Sequence, residues 1–222
     1  MLAIPTKRHE RRLLTWLTDP EVDALLAAPD RTTWAGRRDH AMLVLAVQTG
    51  LRISELIALS RSDLTLGVGP HVRCMGKGRK ERATPLTVLT VAVLRTWVAE
   101  HTGNPDDPLF PTRTGTRLSH DAIERRLTGH VATARSRCPT LRDKHVTMHT
   151  LRHTAAMRLL HAGVDIAVIA LWLGHEHIAT THIYLHADMN HKERAIARVT
   201  PPGTTPGRYQ PPDPLLAFLD SL

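Results

Sequence analysis

The chain has 222 residues, 42% hydrophobic, 23% charged and 4% aromatic, and its Lys and Arg outnumber its Asp and Glu by 29 − 21 = 8 charges with histidine neutral. That length builds one globular domain with its own core and at most a short appendage, and 13 Gly and 15 Pro scattered without a period exclude collagen-like and low-complexity classes. The positive balance favours a polyanionic partner. Only five of the cations are Lys (7, 77, 80, 144 and 192), leaving 24 Arg, whose planar fork suits phosphate oxygens, although a GC-rich genome produces the same bias. Cys74 and Cys138 form no CxxC pair and no disulfide framework, which fits a reducing, cytoplasmic setting. The longest apolar run, Ala41 to Val47, is too short to cross a bilayer.

In chain order, residues 1–17 read as a basic arm or linker remnant around Pro5, Lys7 and Arg8. A helix follows from Thr18, with Pro20 in its first turn, Glu21 placed for a capping box, and Val22, Leu25 and Leu26 as its apolar face. A second helix runs from about Arg37 to Thr49 and stops at Gly50, and a short third covers Ser54 to Leu59. His71–Met75 and Glu81–Leu86 then read as strands flanking the basic turn Gly76-Lys77-Gly78-Arg79-Lys80, a small antiparallel hairpin. Helical patterns resume at about 88–101, 119–137, 150–162, 165–173, 177–185 and 188–198, before a Pro/Gly stretch from Pro201 to Pro214 and a closing apolar cluster around Phe218. The expected fold is mainly α with one small antiparallel sheet, an α+β arrangement.

Several residues carry chemistry. Arg52 stands at the mouth of a short helix with Glu55 three residues on, so the acid can fix the guanidinium and leave donors free for a phosphate; a cap with a surface ion pair is the plainer reading. His149 and Arg152 repeat that spacing with a group that titrates near neutrality. His175 and Tyr184 follow, and Lys77 sits at the tip of the hairpin.

Taken together, the segments TGLRISEL, GKGRKERATPL and HTLRHTAAMRLLHAGVDIAVIALWLGHEHIATTHIYLHA resemble the catalytic domain of the tyrosine recombinases, the phage-integrase family of DNA strand-exchange enzymes, over about Thr18 to Arg198. Separate boxes in order with family-like gaps make the match specific. The resemblance implies a catalytic set of Arg52, Lys77, His149, Arg152, His175 and Tyr184, with Glu55 supporting the first arginine. Tyr184 is then the nucleophile, Arg52, Arg152 and His175 the phosphate clamp, His149 the proton acceptor or relay, and Lys77 the donor to the departing 5′-hydroxyl. It also implies a 3′-phosphotyrosyl intermediate, no cofactor, no metal and no ATP. The natural role would be integration, excision or transposition of a mobile element. A type IB topoisomerase shares this chemistry, and a DNA-binding fragment unable to assemble is the third reading.

Arg79, Lys80 and Arg82 are expected on the DNA backbone, against the alternative of a solvated basic turn. Arg125, Arg126, Arg135 and Arg137 face either DNA or solvent. The crowded histidines His175, His177, His182, His186 and His191 lack zinc-site spacing, so they read as polar-face or phosphate-facing groups. Trp172 reads as core.

By resemblance the partners are double-stranded DNA and further copies of the chain. Family members pass a C-terminal segment to a neighbour in a cyclic tetramer, so residues 199–222 are expected to dock in trans; docking on their own domain buries much the same surface. Because family members carry a core-binding domain ahead of the catalytic one, 18–198 would be the catalytic half alone. Its DNA binding would be weak and salt-sensitive unless a partner protein supplies the missing contacts.

Overall fold

The computed structural model describes residues 14–76, 81–100, 103–175, 177 and 180–187. Residues 1–13 of the expected arm, the hairpin tip with Lys77, Arg79 and Lys80, the helix expected at 188–198 and the tail at 199–222 lie outside the described residues. The chain divides into two compact units, Met1–Tyr184 and Leu185–Leu222, and the architecture below is that of the first.

Eight helices and three short strands are described: α1 Asp19–Leu26, α2 Trp34–Thr49, α3 Ile53–Ala58, β1 Leu64–Thr65, β2 His71–Met75, β3 Glu81–Pro85, α4 Val88–Ala99, α5 His120–Arg137, α6 Met148–His161, α7 Ile166–Leu173 and α8 His182–Ala187. The fold is mostly helical with a small antiparallel sheet, as expected. None of the described helices is long and apolar enough to cross a membrane.

α1 starts where its capping box places it: the Thr18 N–H donates to Glu21 Oε2 at 2.8 Å. Glu21 is itself buried and also receives Lys144 Nζ at 2.6 Å, tying the first helix to the segment ahead of α6. α2 begins three residues before the expected Arg37, because the Thr33 hydroxyl caps it by accepting the Gly36 N–H at 3.0 Å. It buries Ala41, Met42, Leu43, Leu45, Ala46 and Val47, apolar nearly all round, and so forms the centre against which α1, α4 and α6 pack.

α2 ends at Gly50, which has φ +65°. A Cβ there would come within 2.8 Å of Leu173 Cδ2 and 3.0 Å of Ala155 Cβ, so the turn needs glycine for its conformation and for its close contact with α6 and α7. Gly50→Ala is expected to cost about 1–3 kcal/mol, seen as a melting temperature lower by several degrees in a calorimetric scan.

The sheet order is β1-β2-β3, with Leu64 opposite Val72 and Met75 opposite Glu81. The expected hairpin is present; β1, only two residues long, carries too little periodicity to be read from sequence. Alternation along the strands turns Val72, Cys74 and Thr84 inward. Arg82, two residues before Thr84 and opposite Cys74, shares that inner face.

α5 presents Ile123, Leu127, Val131 and Ala134 to the core. On its other faces the expected DNA-or-solvent arginines divide. Arg126 Nη1 bonds Asp39 Oδ2 at 3.1 Å, joining a buried cluster in which Asp39 also receives Arg38 and His130. Arg135 donates to the Leu141 and Lys144 carbonyls and Arg137 to the Ala27 carbonyl, while Arg125 is exposed. The helix expected from 177 begins only at His182. Thr180 and Thr181 are β-branched and sit in the turn before it, where the Tyr184 N–H bonds the Thr181 carbonyl at 3.1 Å.

Candidate active site

The site forms where the C-terminal ends of α2 and α7 converge beside the start of α3 and the middle of α6. Helix ends leave carbonyls without intrahelical partners and carry partial negative charge, so they attract cations. Arg152, 3% exposed, donates from Nη1 to the Gly50 carbonyl and from Nη2 to the Leu173 carbonyl, both at 2.7 Å. Arg52 Nη2 reaches the next carbonyl, Gly174, at 3.1 Å. Trp172 is half-buried, and its Nε1 closes the same corner by donating to the Thr49 carbonyl at 3.1 Å.

Glu55 is the anion that organises this corner. Its Oε2 accepts the Arg52 backbone N–H and its Oε1 accepts Arg52 Nη1, each at 2.8 Å. Arg82 adds a bidentate pair at 2.8 and 2.7 Å. Burial alone would raise the Glu55 pKa, but hydrogen bonds from Arg82 and Arg52 outweigh it and hold the carboxyl at about 2.

Arg82 was expected on the DNA backbone together with Arg79 and Lys80. In the structure its side chain is 12% exposed and turned inward onto Glu55. The reason is the strand pleat, which puts alternate residues on one face. Arg82 also lies against Gly174, where a Cβ would come within 2.8 Å of Nη1. It therefore links the strand after the hairpin tip to the Arg52 corner.

Three guanidiniums, those of Arg52, Arg82 and Arg152, thus gather around one carboxylate among the described residues. The two fixed partners of Arg152 are neutral carbonyls, and burial followed by repulsion from Arg52 lowers its pKa to about 10. A cation in that position awaits an anion.

Tyr184, 1% exposed, lies in α8 with its hydroxyl 3.0 Å from Nδ1 of His153. Burial raises the pKa of the phenol, while Arg152 and Arg52 pull it down. Its ring lies nearly parallel to that of His175, with centroids 6.5 Å apart, and Nδ1 of His175 is 2.7 Å from Thr181 Oγ1. Burial and the neighbouring Arg152 push His175 down to about 4, so it is neutral at pH 7. In the tautomer that accepts the Thr181 hydroxyl at Nδ1, the Nε2–H is a donor. His149 is also shifted down, by burial first and then by Arg152 and Arg52.

Arg52, Glu55, His149, Arg152, His175 and Tyr184 are therefore brought together; Lys77, Arg79 and Lys80 lie outside the described residues. Sequence reasoning passed over His153. The available signal was its position one helical turn after His149, which puts both rings on one face of α6; the rings meet edge-on at 4.2 Å. Among the described residues no group of three or more His, Cys, Asp and Glu converges as a metal site.

The model of the phage integrase family matches residues 15–191. Over all 222 residues the chain is 55% identical to a putative integrase/recombinase, y4rC, of Sinorhizobium fredii, and spans 67% of that protein. It is 35% identical over 192 residues to tyrosine recombinase XerD of Pseudomonas putida, covering 84% of the chain and 62% of XerD. Among solved structures, XerH site-specific recombinase bound to palindromic difH substrate, in a post-cleavage complex, superposes with TM-score 0.70 and 27% identity over 84% of the chain and 53% of XerH.

Proposed function

The chain belongs to the phage integrase family, and from that premise we propose that it carries the catalytic machinery of a site-specific DNA recombinase acting through Tyr184. The observation that carries this reading is the buried Arg152, whose hydrogen bonds go to two carbonyls and which lies close enough to Arg52 and Tyr184 to interact with both electrostatically. A scissile phosphate supplies the missing anion, bridged by the two arginines and by the Nε2–H of His175. Those donors are in place before the reaction, so they stabilise the charge that builds on the non-bridging oxygens without reorganising.

Tyr184 Oη then attacks phosphorus, the bond to the 5′-oxygen breaks, and a 3′-phosphotyrosyl link forms. Lys77 protonates the 5′-oxygen by family resemblance. The phenol has an ordinary pKa near 10, raised further by burial, so it gives up its proton as it attacks. Attack of a 5′-hydroxyl on the link rejoins the strand and draws on no ATP, since the bond energy is conserved.

Integration, excision or transposition of a mobile element is the role proposed for the whole protein, with copies joined through residues 199–222 in trans. A nicked suicide duplex separates the readings. The wild type should form a covalent protein–DNA adduct, and Tyr184→Phe should form none while still unfolding cooperatively, its melting temperature lower by a few degrees for the lost contact to His153. In a two-site assay recombinant product supports a recombinase, supercoil relaxation alone a type IB topoisomerase, and binding without adduct a DNA-binding fragment.

A further inference from the structure

The reaction needs a group to take the phenol proton, and family resemblance points to His149 for that task. The geometry points one turn further along α6. His153, not His149, touches the nucleophile: its Nδ1 is 3.0 Å from Tyr184 Oη, and its ring meets the phenol edge-on at 5.6 Å between centroids. His149 packs on His153 instead, at 4.2 Å between centroids. We propose that His153 is a further catalytic residue, the direct acceptor of the Tyr184 proton, with His149 behind it as the partner that orients its ring and shares the charge. The inference rests on the cleavage reading above.

The step balances without a co-reactant. The Oη–H bond breaks as Oη–P forms, the proton moves to Nδ1, and His153 becomes an imidazolium. The P–O5′ bond breaks, and the 5′-oxygen takes a proton from its own donor. In rejoining, His153 returns its proton to Oη. For this His153 must begin neutral with its hydrogen on Nε2, so that Nδ1 is free to accept. Burial, reinforced by His149, Arg152 and His175, holds its pKa at about 4, so it starts neutral at pH 7.

The same neighbours make the step depend on DNA. Without substrate, cations oppose a charge on His153 and the phenol stays protonated in its buried seat. A phosphate dianion or diester lodged between Arg52 and Arg152 offsets those cations and raises the proton affinity of His153 at the moment it is needed. The nucleophile is thereby kept inert until a phosphate is clamped.

Single-turnover adduct formation on the nicked duplex, measured from pH 5 to 9 with the full chain, tests the proposal. Wild type is compared with His153→Asn and His153→Ala. Asparagine leaves a carbonyl oxygen close to where Nδ1 stood, so it can hold the phenol but cannot take its proton. Both variants are expected to cleave about 10²- to 10⁴-fold more slowly and to lose the acidic inflection of the pH profile. Added imidazole should restore His153→Ala by about tenfold or more and leave His153→Asn unchanged.

If His153→Asn cleaves within about threefold of wild type with the same profile, His153 only positions the phenol, and the proposal is overturned. Nitrogen-15 histidine spectra of the DNA-free protein read the pair without any reaction: Tyr184→Phe should shift Nδ1 of His153, and an unmoved resonance also overturns it. A wild type that forms no adduct, while that resonance does respond, overturns the cleavage reading and the proton transfer together. A wild-type adduct that persists in His153→Asn overturns the role of His153 alone.

Discussion

Glu55→Ala should lower the unfolding free energy by roughly 3–5 kcal/mol, because it strips the shared anion from two partly buried guanidiniums. Arg82 suffers most, since its buried Nε already lacks a partner among the described residues. For a domain of this size the melting temperature should fall on the order of 10 °C. The acid side gives a sharper signature. The Glu55 carboxyl sits at about 2 in the folded chain against an ordinary 4.5, so its folded pKa is depressed. Its contribution, roughly 3 kcal/mol by linkage, is fully present above about pH 4.5 and is lost as pH falls toward 2. Denaturant unfolding of wild type and Glu55→Gln should therefore differ most above pH 4.5, and the gap should close across that window. A gap that stays constant from pH 7 to 2 contradicts the assignment of the charge to Glu55.

Arg152→Lys should cut DNA cleavage by about 10²- to 10³-fold, the usual cost of losing one fixed donor to the reacting oxygens. An ammonium keeps the charge but cannot span the Gly50 and Leu173 carbonyls and still present a donor to phosphate. The uncompensated cation also predicts that sulfate or inorganic phosphate raises the melting temperature of the wild type by mass action. In Arg152→Ala that increment should shrink sharply. Equal anion stabilisation in both proteins contradicts an anion site at Arg152.

Much of the framework was legible because short-range chemistry marks it. Thr18 with Glu21 announced the start of α1, and Gly50 the end of α2. The pairing of Arg52 with Glu55 followed from helical spacing alone. What escaped depended on long-range packing. The bond between Asp39 in α2 and Arg126 in α5 spans 87 positions, so no local pattern signals it. Arg82 looked like one cation among several in a basic turn, yet strand alternation already put it with Thr84 on the inner face. His153 was hidden by its neighbours: His149 and Arg152 supplied a complete motif, and which imidazole meets Tyr184 is decided by how α8 packs on α6.

In the proposed reaction Tyr184 becomes covalently joined to DNA. The chain contains two tyrosines, Tyr184 and Tyr209, so mass spectrometry of the trapped adduct after protease and nuclease digestion assigns the link without ambiguity. A nucleotide remnant on the peptide containing Tyr184, absent from Tyr184→Phe, is the predicted result. A remnant on Tyr209, or a wild type that yields no remnant on a nicked duplex carrying its own recombination site, contradicts cleavage through Tyr184.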